Sequence, residues 1–160
     1  MPTGDEMLIS WLNDAYAMER ALQEVLKRHA EDAAEKPSVQ QRIKEHLEET
    51  GQHAQTVKGC VEQLGGSTST VKSALSSVTG MAQGMLNRPA QDTMVKNAIS
   101  DYAAEHFEIA SYQALIAAAG ALNHQDIVAT LQGILAQEQA MADFLQQQLP
   151  SAATEQVRKA

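Results

Sequence analysis

Three glutamates of this chain lie where an amphipathic helix should carry apolar side chains. Glu19 stands in an apolar stripe three residues before Leu22, Glu138 stands three residues after Leu135, and Glu108 shares a helical face with Leu115. An amphipathic helix turns such a stripe towards the protein core. A buried carboxylate is strongly unfavourable unless it has a cation, a strong hydrogen bond or a proton. The three glutamates are therefore candidate metal ligands, and Glu105 lies one turn before Glu108 on the same face.

A second group of donors follows the same helical spacing elsewhere in the chain. His46, Glu49 and His53 are spaced three and four residues apart, which places all three on one face of a helix. Imidazole and carboxylate together suit iron, manganese or zinc better than calcium or magnesium. We predict that His53 is a ligand and that His46 lies outside the ligand set or at the surface. The remaining histidines are predicted at the surface; they are His29, His106 and His124.

The spacing of the acids suggests an internal repeat. Thirty residues separate Glu19 from Glu49, and thirty separate Glu108 from Glu138, so an offset of 89 residues superposes the two pairs. Four carboxylates at one level of a helical bundle, completed by imidazoles, suit a dinuclear metal site. Without metal the four cannot all stay ionised in a low-dielectric interior, so we predict raised pKa values for them.

The elements that must position these side chains are helices. The 160 residues are 44% hydrophobic but only 4% aromatic, a composition typical of a helical protein. Helix start and stop signals predict four long segments. They run from a capping box at Thr3–Glu6 to about Asp32, from a second capping box at Ser38–Gln41 to Gly65–Gly66, from about Gln91 to Ala121, and from an Asn123 cap to just before Pro150.

Loop lengths then predict the topology. Short connections join the first two helices and the last two, so each pair should be an antiparallel hairpin. The middle connection, about residues 66–88, is long enough to cross the bundle and carries a short helical pattern. This predicts an all-α, ferritin-like four-helix bundle, with two hairpins joined by a long crossover containing a short helix. We predict one domain over residues 1–150 and a polar C-terminal tail over 151–160.

Charge and composition limit the partners. A net charge of −8 argues against nucleic acid and anionic membrane surfaces, and no apolar run is long enough to cross a membrane. The first 30 residues lack a basic start typical of a signal peptide, and the single Cys60 fits a reducing, cytoplasmic location. Trp11, Met18 and Val25 form a second apolar stripe on the first helix, which predicts a homodimer.

Three segments carry a resemblance to a known family. HLEET at 46–50, HFEIASY at 106–112 and QEQAMAD at 137–143 resemble the YciE/YciF group of ferritin-like stress proteins, and the similarity extends from about Glu6 to Pro150. The resemblance implies a rubrerythrin-like bundle, usually dimeric, with a di-iron site and expression under stress. Carried over position by position, it implies the ligands Glu19, Glu49, His53, Glu108 and Glu138, with Glu105 as a further candidate.

The chain departs from related di-iron bundles on the last helix. Met141 stands where those bundles carry a histidine three residues after the glutamate, and Ala142 stands where the resembling family has an aspartate. Either Glu105 replaces the missing ligand, or water does, or one metal position is weak.

Three functions remain open at the level of sequence. The first is an oxidoreductase whose di-iron or dimanganese centre reacts with peroxide or oxygen. The second is a binding module that sequesters iron without turnover. The third is a metal-free, dimeric interaction module. The chain shows no nucleophilic triad, phosphate-binding loop or zinc-finger spacing, which leaves hydrolase, kinase and nucleic-acid functions without support.

Overall fold

The protein is an all-α bundle. The computed structural model describes residues 1–68 and 91–160, and within them it contains helices and no strands. Four helices follow one another along the chain: α1 (Gly4–Asp32), α2 (Pro37–Gln63), α3 (Thr93–Ala121) and α4 (Gln125–Lys159). None of these helices, within the described ranges, carries an apolar stretch that could span a lipid bilayer.

Helix ends confirm some of the expected signals and correct others. The capping box of α1 is present: the Glu6 amide donates to Thr3 Oγ1 at 3.2 Å, and the Thr3 amide donates to Glu6 Oε2 at 2.7 Å. The prediction of a capping box at Ser38 is wrong, because α2 already begins at Pro37. Proline lacks a backbone N–H, but the first N–H groups of a helix have no partner within the helix, so proline is well tolerated at this position. Asn123 is not the cap of α4 either. It takes the left-handed conformation (φ 63°) in the short turn between α3 and α4.

The order of neighbours in the bundle confirms the predicted ferritin-like topology. Helix α1 packs against α2 and α3, and α4 packs against α3 and α2. Gln63, at the end of α2, contacts Asp126 at the start of α4. His29, near the end of α1, contacts Asp101 near the start of α3. The end of α2 and the start of α3 therefore lie at opposite ends of the bundle, and the intervening connection is the predicted long crossover. The short helix expected within it, around Val71 to Val78, lies outside the described residues.

The last helix is longer than the sequence suggested. Helix α4 continues through Pro150 to Lys159, so the prediction that it ends before Pro150 is wrong. Proline removes one backbone hydrogen bond from a helix interior, which normally interrupts the helix. Here the final turns gain contacts of their own: Glu155 pairs with Lys36 at the start of α2, and Thr154 Oγ1 donates to the Pro150 carbonyl at 2.8 Å.

Two apolar clusters fill the bundle along its length. The larger contains Leu12, Val61 and Leu131, and the smaller, nearer the end of α1, contains Leu26, Ile43 and Leu145. The helices also turn polar side chains inward. Of the second stripe on α1, from which a dimer was predicted, Met18 and Val25 are only 1% exposed and belong to the larger cluster, whereas Trp11 is 43% exposed.

Candidate metal centre

Six ionisable side chains form a polar layer inside the bundle. The layer lies between the two apolar clusters on α2 and α4, and within the larger cluster on α1 and α3. Each of the six is at most 2% exposed, and all four helices contribute. The layer consists of Glu19 from α1, His46 and His53 from α2, Glu105 and Glu108 from α3, and Glu138 from α4. Five of these six residues were candidate ligands from the sequence, whereas His46 was expected outside the ligand set or at the surface.

Four of these side chains form a first group of metal donors. His46, Glu105, Glu108 and Glu138 each offer one ligand atom, and these atoms all lie within 4.8 Å of one another. The His46 Nε2 atom is 2.9 Å from Glu105 Oε1 and 3.4 Å from Glu138 Oε2. One imidazole and three carboxylates therefore converge on a single small volume.

A second group shares one member with the first. Glu19, His53 and Glu138 also offer ligand atoms within 4.8 Å of one another. The His53 Nδ1 atom is 2.9 Å from Glu138 Oε1 and 3.6 Å from Glu19 Oε1. Because Glu138 belongs to both groups, one oxygen of its carboxylate faces each imidazole. This is the donor arrangement expected for two cations bridged by a carboxylate.

Hydrogen bonds from outside the two donor groups fix the orientation of Glu19 and of both imidazoles. The hydroxyl of Tyr112, which is fully buried, donates to Glu19 Oε1. His46 Nδ1 lies 2.8 Å from Glu49 Oε2, and His53 Nε2 lies 2.6 Å from Gln137 Oε1. In each imidazole, one ring nitrogen therefore contacts a side chain outside the donor groups, and the other faces the carboxylates of the layer.

Buried oxygens without partners show that the residues present fit a cation. Among the described residues, Glu19 Oε2, Glu105 Oε2 and Glu108 Oε1 are buried and have no hydrogen-bond partner. Buried polar atoms in native proteins are nearly always satisfied, and each exception requires an explanation. Oxygens of these glutamates without donors, beside two imidazoles, form a donor set that fits divalent cations such as iron or manganese.

Comparison with known proteins places the chain in a family. The family model described as "Domain of unknown function (DUF892)" matches residues 3–158. The chain belongs to this family. The DUF892 match covers the whole bundle, including every residue of the polar layer, and it agrees with the resemblance to the YciE/YciF group.

Solved structures similar to this DUF892 chain share its fold. A protein from Xanthomonas campestris pv. campestris is 31% identical, with a TM-score of 0.83, over 99% of this chain and 98% of that chain. The E. coli stress protein YciF is 23% identical, with a TM-score of 0.80, over 96% of this chain and 99% of that chain. A ferritin-like, diiron-carboxylate protein from Bacillus anthracis str. Ames is 18% identical, with a TM-score of 0.75, over 93% of this chain and 99% of that chain. The ferritin-like bundle is thereby confirmed.

Electrostatics within the layer divide the carboxylates into two kinds. Burial raises the pKa of Glu105 to about 8, although His46 acts against it. Burial also raises the pKa of Glu19, and it raises that of Glu108 well above its ordinary value, with the charges of Glu138 and Glu105 adding to the effect. The shifts of Glu19 and Glu108 agree with the sequence-based prediction, which did not include Glu105.

The prediction of a raised pKa is wrong for Glu138. Burial acts to raise its pKa, but the hydrogen bond from His53 and the charges of both imidazoles outweigh burial and lower it. The imidazoles respond in the opposite direction. Burial disfavours their charged forms, yet hydrogen bonds and the charges of Glu105, Glu138 and Glu19 raise the pKa of His46 to about 9 and that of His53 to about 10. In the absence of metal, protons on the imidazoles therefore compensate Glu138.

Glu49 is the one candidate ligand of this DUF892 chain that the structure leaves outside both groups. Its side chain is 26% exposed, and besides His46 it contacts Arg42 Nη1 at 3.4 Å. Successive helical residues turn by about 100°, which places Glu49 roughly 60° to one side of His46. Thr50, fully buried, lies on the inward side in its place. The repeated spacing of thirty residues therefore did not indicate equivalent side-chain directions.

Two histidines have surroundings that the sequence did not predict. His46 is fully buried within the first donor group, and its spacing of seven residues from His53 was the signal that both share the inward stripe. His29, predicted at the surface, is 1% exposed, and its Nδ1 lies 2.7 Å from Asp101 Oδ1. Met141, fully buried, stands where related di-iron bundles carry a histidine, and Glu105, one of the replacements considered, lies in the first donor group.

Proposed function

We propose that this protein is a ferritin-like stress-response protein with a dinuclear, carboxylate-bridged metal centre, most simply two iron ions, which reacts with peroxide or oxygen. His46, Glu105 and Glu108 would hold one ion, Glu19 and His53 would hold the other, and Glu138 would contact both. Manganese is the alternative metal for the same donors. The observation that carries the proposal is the sharing of Glu138 between two buried donor groups.

The protein contributes an environment suited to such a centre. A bound pair of iron ions supplies redox chemistry towards peroxide or oxygen. The side chains of the polar layer are at most 2% exposed, so bulk water is excluded from it. Tyr112 holds a proton at Glu19 Oε1, and burial together with that carboxylate raises the pKa of Tyr112 well above its ordinary value, which keeps the phenol protonated.

Similar proteins support the role in stress. One similar structure is that of the E. coli stress protein YciF, and another is that of a ferritin-like, diiron-carboxylate protein. A protective reaction with peroxide unites these two descriptions in one activity. The buried, unpaired Cys60 is compatible with the reducing cytoplasm as the compartment.

Metal analysis and peroxide consumption test the proposal. The full chain, purified without chelator and reconstituted with Fe²⁺ under anaerobic conditions, should bind two ions per chain and consume hydrogen peroxide. Glu138→Gln should reduce both quantities, since it weakens both donor groups. Glu45→Gln makes the same chemical change at an exposed position of α2 and should change neither.

The outcomes separate the three functions left open by the sequence. Two bound ions without peroxide consumption indicate an iron-binding module. Failure of iron and manganese to bind the wild-type protein contradicts the metal centre and leaves the bundle as an interaction module.

A further inference from the structure

The two imidazoles of the candidate centre have outer partners of different charge. His46 Nδ1 lies 2.8 Å from Glu49 Oε2, and the Arg42 guanidinium lies 3.4 Å from the same oxygen. A carboxylate only accepts hydrogen bonds, so the proton of this pair is on His46 Nδ1. The lone pair of a neutral His46 is then on Nε2, the atom that faces Glu105 and Glu138.

His53 has the reverse arrangement. Its Nε2 lies 2.6 Å from the Gln137 side-chain oxygen, which accepts a hydrogen bond from the N–H at that nitrogen. Its Nδ1 faces Glu138 Oε1 at 2.9 Å and Glu19 Oε1 at 3.6 Å. The acceptor here is a neutral amide at an exposed position of α4, with no carboxylate and no guanidinium in the pair.

A metal-bound imidazole retains one N–H, and the acceptor of that N–H sets both the tautomer and the electron density of the ring. A carboxylate acceptor makes the imidazole a stronger donor than an amide acceptor does. The His46 group also has four donors, whereas the His53 group has three. The carboxylate acceptor and the larger number of donors both favour stronger binding at the His46 position.

We propose that Glu49 and Gln137 are positioning residues that fix opposite tautomers of His46 and His53 and thereby make the two metal positions unequal, so that the His46 position fills first and the His53 position fills second. The inference rests on the proposed metal centre. In this arrangement Glu49 is the acceptor for the N–H of His46 and not a metal ligand. Gln137, which the spacing of the acids did not point to, is the acceptor for the N–H of His53.

Reciprocal substitutions test the proposal with the full chain and Co²⁺ as the probe. Titration followed by visible absorption should give two binding steps for the wild-type protein. Glu49→Gln gives His46 an amide acceptor and should weaken the first step by about tenfold or more, a typical effect of removing an outer acceptor. Gln137→Glu gives His53 a carboxylate acceptor and should strengthen the second step by about tenfold. The double variant should bring the two steps together or reverse their order.

Matched controls and a second readout separate positioning from general charge effects. Glu48→Gln and Gln139→Glu make the same charge changes at exposed neighbouring positions of the same helices, and they should alter each step by less than about twofold. Long-range ¹H–¹⁵N spectra of the Zn²⁺-loaded protein report the tautomers directly. They should show His46 protonated at Nδ1 and His53 protonated at Nε2. The His53 signal should be altered by Gln137→Glu and not by Gln139→Glu.

Each result has a definite meaning. Two binding steps that respond to Glu49→Gln no more than to Glu48→Gln overturn the inference and leave the metal centre standing. The same tautomer at His46 and His53 in the Zn²⁺-loaded protein also overturns it. A wild-type chain that binds neither Co²⁺ nor Zn²⁺ contradicts the proposed function itself.

Discussion

Glu108 and Glu138 are chemically identical residues whose surroundings give them opposite effects on the metal-free protein. Glu108 has one oxygen without a hydrogen-bond partner among the described residues, and burial and neighbouring negative charges raise its pKa. Glu138 lies between two imidazoles whose charges lower its pKa. The first carboxylate destabilises the metal-free bundle at neutral pH, whereas the second compensates two buried cations.

Substitution of each by glutamine should therefore change stability in opposite directions. Glu108→Gln replaces a carboxyl whose charged form is disfavoured by burial and by neighbouring negative charges, so it should raise the free energy of unfolding of the metal-free protein by about 1 kcal/mol. Glu138→Gln leaves the imidazoles without their shared partner and should lower it by about 3 kcal/mol. Chemical denaturation of the chelator-treated variants at pH 8 measures both values. Destabilisation of equal size in the two variants would contradict this assignment of charges.

Among the elements, the C-terminal part of α4 deviates most from its local sequence signal. Pro150 lies inside the helix, and the residues after it remain helical to Lys159. Local propensity favours an end at Pro150, but Glu155 lies beside Lys36 of α2 and extends the packed length of the helix. Contacts with another helix thus override a local stop signal.

Pro150→Ala should stabilise the final turns of α4. Alanine restores the N–H that proline lacks and relieves the clash of the proline ring with the preceding turn, for a local gain of about 2 kcal/mol. Amide hydrogen exchange over residues 151–159 should slow accordingly, while exchange near Glu138 stays unchanged. Faster or unchanged exchange in that segment would show that the proline is not what limits its stability.

Much of the helical architecture and part of the polar layer were predictable from the sequence. Apolar spacing predicted the four helices, and carboxylates inside those stripes predicted Glu19, Glu108 and Glu138, because a buried charge is conspicuous in an apolar pattern. Helix ends were less predictable, since Pro37 and Asn123 each suit more than one terminal position. The direction of Glu49 was also beyond the sequence, because about 60° of helix rotation separates a ligand from its outer partner.

For the whole molecule, the ionisable groups of the buried polar layer predict a stability that depends on pH. In the metal-free protein, the pKa of Glu105 is raised from 4.5 to about 8, so its carboxyl destabilises the fold increasingly as pH rises between those values. The pKa of His46 is raised from 6.5 to about 9, so the stability it contributes is fully present below pH 6.5 and is lost as pH rises to 9. The lowered pKa of Glu138 acts below 4.5, outside this window.

The metal-free protein should therefore unfold at a higher temperature at about pH 6 than at about pH 8. The metal-loaded protein should show the reverse order, because its ligands must be deprotonated to bind. Thermal unfolding with excess Mn²⁺ and with chelator, at both pH values, provides the four midpoints. Parallel pH dependence in the two forms would contradict a metal centre in the polar layer.

The outer surface of α3 is where two copies of this bundle could associate. Every Asp and Glu of α3 is buried, so its exposed face carries no acidic side chain, while the chain as a whole has a net charge of −8. An apolar stripe runs along that face and contains Ile99, Ala103, Phe107, Ala110, Ala114 and Ala117, all of them exposed. The other exposed residues of α3 include Lys96, His106 and Gln113.

Two acidic bundles repel each other least where neither carries charge, and small side chains let helices approach closely. We therefore propose a homodimer through α3, in place of the stripe containing Met18 and Val25. Ala110→Glu should convert the dimer to a monomer in sedimentation equilibrium at micromolar concentrations, because it buries a charge at the twofold contact. Ala140→Glu, the same change on the exposed side of α4, should leave the dimer intact. A monomeric wild-type protein, or a dimer that survives Ala110→Glu, would exclude this interface.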